Sequence, residues 1–147
     1  MMTAQAEILA RIPHRPPFLW IDRIVTREAT AITTEATIAS DLEIFAGHYP
    51  GRPVMPGVLL CEAIFQSGAL LMSYLLEEAP LPCQGVPVLA RIDNARFKRM
   101  VAPGDQIQIK VTLKETIGKV SFMKGTLRVA GKVAVQTSFS VTLAAAP

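Results

Sequence analysis

The sequence predicts an α+β domain in which a curved antiparallel sheet wraps around one long, buried helix. Three observations lead there. Residues 57–78, GVLLCEAIFQSGALLMSYLLEE, run without a proline and are apolar on nearly every side, the pattern of a helix covered all round rather than along one stripe. The C-terminal half alternates apolar and polar residues with a period of two, as half-buried strands do. The chain of 147 residues, half of them apolar and 18% charged, has the size of one domain with its own core and lies far from the composition of a disordered chain. Residues 1–147 are therefore read as a single domain without repeats, low-complexity segments or linkers.

The opening MMTAQAEILARIPHRPPF has neither the continuous apolar core of a signal peptide nor an Arg/Ser-rich presequence. Two cysteines, Cys61 and Cys83, are too few for a disulfide framework. Cys61 falls in the apolar helical run, where a free thiol behaves as a small hydrophobe, and a reducing cytoplasm is the expected location. IPHRPPF (12–18) is too rich in proline for a helix and reads as an irregular lead-in. LWIDRIV (19–25) and AITTEATIA (31–39) read as two strands separated by the polar TREAT.

The run from Gly57 to about Glu78 is long enough for some six turns at ~3.6 residues each. Its length also suits a membrane span. Glu62, Gln66, Ser67 and Ser73 argue against that, because a carboxylate at bilayer depth is costly. A helix this apolar would also use a second subunit to cover what one sheet leaves bare. VAPGD (101–105) is a loop by its Pro-Gly. In QIQIKVTLKE, Ile107, Ile109, Val111 and Leu113 share one face, and in KVAVQTSFSVTL the residues Val133, Val135, Phe139, Val141 and Leu143 do the same. IGK and AGK supply glycines for the turns between consecutive antiparallel strands.

The net charge of +3 and a pI near 9.1 suit an acidic partner. Arg96, Lys98 and Arg99 cluster in NARFKRM, either as a dock for such a partner or as a solvated strand end. Nucleic acid is not expected, since no zinc spacing, aromatic RNA-binding signature or long basic run accompanies them.

The stretch GHYPGRPVMPGVLLCEAIFQ (47–66) carries the chemistry. Its prolines stiffen the loop by fixing φ and by restricting the residues before them, so His48 hangs on a segment with little freedom. Gly57 opens the long helix, where unpaired N–H groups and the positive end of the dipole gather. The missing side chain there would let a substrate oxygen approach those donors. Glu62 lies five residues on, roughly 7.5 Å along the axis. With Leu60, Ile64 and Phe65 near it, its carboxyl group would be desolvated, which favours the protonated form. One stretch thus offers a base, an acid and an oxyanion site. The bland readings are a structural loop histidine and a buried glutamate bonded to backbone or to Gln66. His14, with no carboxylate near it in sequence, reads as structural.

This stretch closely resembles the signature of the 3-hydroxyacyl-[acyl-carrier-protein] dehydratases of type II fatty-acid synthesis. IPHRPPFLWIDRI is similar to that family's amino-terminal motif and IDNARFKRMVAPGDQI to its strand-and-loop motif, so the likeness spans nearly the whole chain. It implies a hotdog fold, His48 as catalytic base, Glu62 as its acidic partner, and an oxyanion site from the N–H groups of Gly57 and Val58. It implies that Glu62 meets the His48 of a neighbouring subunit in a homodimer at least, in a family that often forms trimers of dimers. The substrate would arrive on an acidic acyl carrier protein, for which Arg96, Lys98 and Arg99 are a candidate dock. No metal or other cofactor is implied. The related dehydratase/isomerases carry Asp where this chain has Glu62, which favours the branch that only dehydrates. The chain departs from the pattern at Val88 and Leu89, where aromatic residues border the acyl tunnel, at Arg91, where a small residue is usual, and at Met100, where proline is typical. These departures leave acyl-chain length and tunnel gating open. A hotdog thioesterase and a non-catalytic acyl-carrier-binding subunit are the alternatives.

Overall fold

A computed structural model describes residues 1–81 and 85–145. In chain order the elements are α1 (Ala4–Arg11), β1 (Arg23–Glu28), β2 (Ala31–Thr37), a 3-10 turn (Glu43–Ala46), α2 (Gly57–Glu78), β3 (Val86–Phe97), β4 (Gln106–Ile117), β5 (Val120–Val129) and β6 (Lys132–Ala144). The strands form one sheet in the order β1-β2-β4-β5-β6-β3, and every neighbouring pair is antiparallel. The long helix α2 packs against β2, β3, β4, β5 and β6. This is the expected α+β arrangement, a hotdog fold.

Helix α2 spans the residues that the sequence marks for it. It is long and apolar enough to cross a membrane, yet its middle, from Leu60 to Met72, is largely buried, while Val58 at its start is exposed. Ile64, Leu70 and Leu71 are wholly buried, as are Ile107, Ile109 and Val111 on β4 and Leu127 on β5. Each such side chain contributes about 1.5–3 kcal/mol by leaving water. The helix lies close on the sheet because β5 has no side chain at one point: a Cβ on Gly125 would stand 2.2 Å from Ile64 Cγ2. The buried hydroxyls are satisfied locally, Thr34 of β2 with Ser67 of α2 at 2.8 Å, while Ser67 donates to the Ala63 carbonyl at 3.0 Å.

The hairpin turns use Gly118 at φ 61° and Gly131 at φ 77°, as their sequences suggest. The expected alternation holds for Ile107, Ile109 and Val111 and for Val135, Phe139, Val141 and Leu143, all buried. It fails at Leu113 and Val133, which are only half-buried, because register shifts next to them interrupt the pleat. Strand β1 begins at Arg23 rather than Leu19. The residues before it are held instead by the helix, with Trp20 N–H donating to Gln66 Oε1 at 2.9 Å. Helix α1 is an element that the sequence reading did not assign. Thr3 caps it by accepting from Ala6 N–H at 3.1 Å, and Ile8 is buried beneath it. Cys83 lies outside the described residues.

Strand β3 is an edge with one hydrogen-bonded neighbour, β6, and two register shifts. Its residues are almost all exposed, Leu89, Ile92 and Phe97 among them. A long exposed edge with apolar side chains is unusual for a chain that works alone.

Candidate active site

The loop 47–56 is held by its own backbone. His48 N–H donates to the Ile44 carbonyl at 3.0 Å, Val54 N–H to the His48 carbonyl at 3.0 Å, and Met55 N–H to Val101 at 2.8 Å. Tyr49 and Arg52 exchange a pair of backbone bonds of 2.9 and 3.1 Å. Proline supplies stiffness and these bonds supply position. The His48 ring is then fixed from two sides. Its Nδ1 lies 2.7 Å from the Val54 carbonyl, and the Tyr49 ring stacks on it at 4.2 Å between centroids. A carbonyl can only accept, so Nδ1 carries the hydrogen and Nε2 presents its lone pair. That is the tautomer a base needs.

His48 opens on a cleft of about 460 Å³ lined also by Tyr49, Arg52, Gly57, Phe97 and Arg99. Helix α2 points its N-terminus here. Leu59 and Leu60 N–H both donate to the Pro56 carbonyl, which leaves the N–H groups of Gly57 and Val58 as the free donors of the first turn. The space beside Gly57 is used differently from expectation. A Cβ there would stand 2.8 Å from Phe97 Cε1, so the bare α-carbon makes room for an aromatic ring from the end of β3. That ring, rather than open space, borders the helix start.

Glu62 is not part of the cleft lining. Five residues at about 100° each place it roughly 140° around the helix from Gly57, whereas Leu60, one turn on, shares the Gly57 face and lines the cleft. The Glu62 carboxylate accepts from Gln66 Nε2 at 3.0 Å and has His14 Nε2 at 3.7 Å. Its side chain is 24% exposed, less enclosed than its apolar neighbours in sequence suggested. Within one chain, then, His48 and Glu62 occupy different sides of α2.

The basic cluster is also divided. Arg99 lines the cleft, whereas Arg96 lines a separate depression on β3 with Lys124 and Gln136. Lys98 leaves the strand with its N–H on the Ala134 carbonyl at 2.7 Å. The four residues that depart from the family pattern are all exposed; Arg91 pairs with Asp93 at 2.6 Å, and Met100 joins the cleft. Cys61 is buried, and burial pushes its thiol up from the usual range. Among the described residues no His, Cys, Asp and Glu side chains gather that could hold a metal ion. Sequence reasoning missed Tyr49 against His48, Phe97 over Gly57, and His14 beside Glu62. The first was readable, being the next residue; the others meet only after folding.

Residues 12–138, which include both His48 and Glu62, match the FabA-like domain family. The chain belongs to that family. It is 40% identical over 144 residues to the 3-hydroxyacyl-[acyl-carrier-protein] dehydratase FabZ of Caulobacter sp. (strain K31), a match covering 97% of this chain and 86% of that one. It is 39% identical over 134 residues to the FabZ of Anaeromyxobacter dehalogenans (strain 2CP-1 / ATCC BAA-258), covering 90% and 85%. Among solved structures, the dehydratase heterocomplex ApeI:P from Xenorhabdus doucetiae aligns with this FabA-like chain at a TM-score of 0.77 and 15% identity, over 93% of this chain and 90% of that one. A thioesterase from Haemophilus influenzae aligns at 0.67 and 14% identity, over 99% and 92%. At such identities these two speak for the hotdog fold alone, which different chemistries share.

Proposed function

We propose that this FabA-like chain, a 3-hydroxyacyl-[acyl-carrier-protein] dehydratase, works through His48 Nε2 as base and Glu62 as acid, with the two drawn from different subunits of a homodimer. The observation that carries the reading is the 2.7 Å contact of His48 Nδ1 with the Val54 carbonyl, because it turns a bare Nε2 into a cleft that also receives the start of α2. The thioester carbonyl would accept from the free N–H groups of Gly57 and Val58, which lowers the cost of the enolate that forms as C2 loses its proton. His48 Nε2 takes that proton. Glu62 gives a proton to the C3 hydroxyl, which leaves as water while C2 and C3 become doubly bonded, and solvent returns the protons to their starting places. No redox change occurs, and the reading needs no metal or other cofactor.

Two features support the second subunit. Glu62 lies around the helix from the cleft of its own chain, and β3 presents an open apolar edge. The carrier protein would approach over Arg99 at the cleft, with Arg96 and Lys98 nearby along the chain, and the pantetheine arm would enter past Phe97. The cytoplasm is the compartment this reading implies.

The test is to present a short 3-hydroxyacyl carrier substrate and follow 2-enoyl product by mass spectrometry. Wild type is expected to form it, and His48→Ala and Glu62→Ala to lose about 10²–10⁴-fold in rate while staying folded. Free acid with release of thiol would mean a thioesterase. Substrate bound but unchanged, with binding indifferent to His48→Ala, would mean a carrier-binding subunit.

A further inference from the structure

The groups around Glu62 treat its two oxygens unequally. Gln66 is wholly buried, and the backbone fixes which way its amide points. Its Oε1 accepts from Trp20 N–H at 2.9 Å, and its Nε2 donates to the Phe18 carbonyl at 3.0 Å. A backbone N–H can only donate and a carbonyl only accept, so the orientation is not interchangeable. Gln66 can therefore offer Glu62 nothing but an N–H, and it offers it to Oε2, at 3.0 Å.

The second group is His14. Its Nε2 stands 3.7 Å from the same Oε2. Its Nδ1 is buried without a partner. Oε2 acts as an acceptor, so the ring nitrogen that faces it, Nε2, carries the hydrogen and Nδ1 is the bare nitrogen. At 3.7 Å the contact is electrostatic rather than a formed hydrogen bond. His14 is held in place from behind: it follows Pro13, and the Arg15 guanidinium ties the carbonyls of Leu9, Ile12 and His14 together at 2.9, 2.8 and 2.7 Å. Both donors thus come to Oε2, and neither comes to Oε1.

We propose that His14 is a positioning residue for Glu62: with Gln66 it occupies Oε2, so that the proton given to the leaving hydroxyl is carried on Oε1. The inference rests on the dehydratase reading of Glu62. His14 touches no reacting atom; it restricts the rotation of the carboxyl group, and its N–H stabilises the carboxylate left after the proton has gone. The lead-in segment, attached to α1, thereby becomes part of the site.

The test compares His14→Phe, which keeps a ring without donors, with His14→Gln, whose Nε2 reaches about where the imidazole Nε2 stands. Kinetics on the 3-hydroxyacyl carrier substrate and crystal structures of both variants are read together. In His14→Phe, kcat is expected to fall about 10-fold or more with KM within about twofold, the pattern of an interaction felt in the transition state. The Glu62 carboxyl should turn away from Gln66 or lose its single orientation. His14→Gln should recover most of the turnover and the orientation. An unchanged Glu62 in His14→Phe, or a loss of turnover that His14→Gln does not relieve, overturns the proposal and leaves His14 a packing residue. The crystal structures decide this even where wild type forms no enoyl product, an outcome that would strike the dehydratase reading instead.

Discussion

His48 illustrates how much a single hydrogen bond decides. The Val54 carbonyl on Nδ1 sets the tautomer, and the Tyr49 ring sets the plane, so the lone pair on Nε2 has one direction. Both partners come from the same short loop, so the setting of His48 is local in sequence: stiffness, histidine and helix start follow one another within a few residues. The environment of Glu62 could not be read that way, because His14 reaches it across 47 intervening positions through the packing of the lead-in on α2. Cys61 is a different case, a residue whose chemistry the fold suppresses. Burial favours the thiol over the thiolate, so the unfolded chain sheds its proton first as pH rises, and stability falls above about pH 8.5. Thermal unfolding between neutral and alkaline pH should show a smaller loss in Cys61→Ala than in wild type. Iodoacetamide should leave Cys61 unmodified in the folded protein and alkylate it once denaturant is added.

At the scale of elements, α2 was legible end to end because it is apolar on all sides and bounded by Pro56 and the charged Glu77–Glu78. The strands of the C-terminal half were legible wherever the pleat is regular. They were not where an extra residue shifts the register, as near Leu113 and Val133, since a bulge moves the apolar face and no period reveals it. Helix α1 had signals that went unread, Thr3 as cap, Glu7 in the first turn and Arg11 in the last. The close seating of α2 on β5 gives a direct test of packing. Gly125→Ala would drive a methyl group against Ile64, for which we expect a loss of about 1–3 kcal/mol in denaturant unfolding. Ile64→Ala alone should cost about 2–5 kcal/mol. The double variant should cost less than the sum, because removing the Ile64 methyls makes room for the new one.

At the scale of the molecule, two features of one chain support the proposed pairing with a second. Glu62 lies around α2 from the cleft that holds His48, and the edge strand β3 offers Leu89, Ile92 and Phe97 to solvent. Ile92→Lys on that edge is expected to give a smaller species by sedimentation velocity, with far-UV circular dichroism preserved and dehydration lost. Subunit mixing shows whether the proposed base and acid come from different chains. Co-expressing His48→Ala and Glu62→Ala chains with different tags allows the mixed dimer to be purified, and its dehydratase rate compared with wild type and with each parent. In the mixed dimer one site has lost both groups and the other has kept both. The rate should therefore return to about half that of wild type, from parents that are nearly inactive. A mixed dimer as inactive as its parents would contradict the shared site.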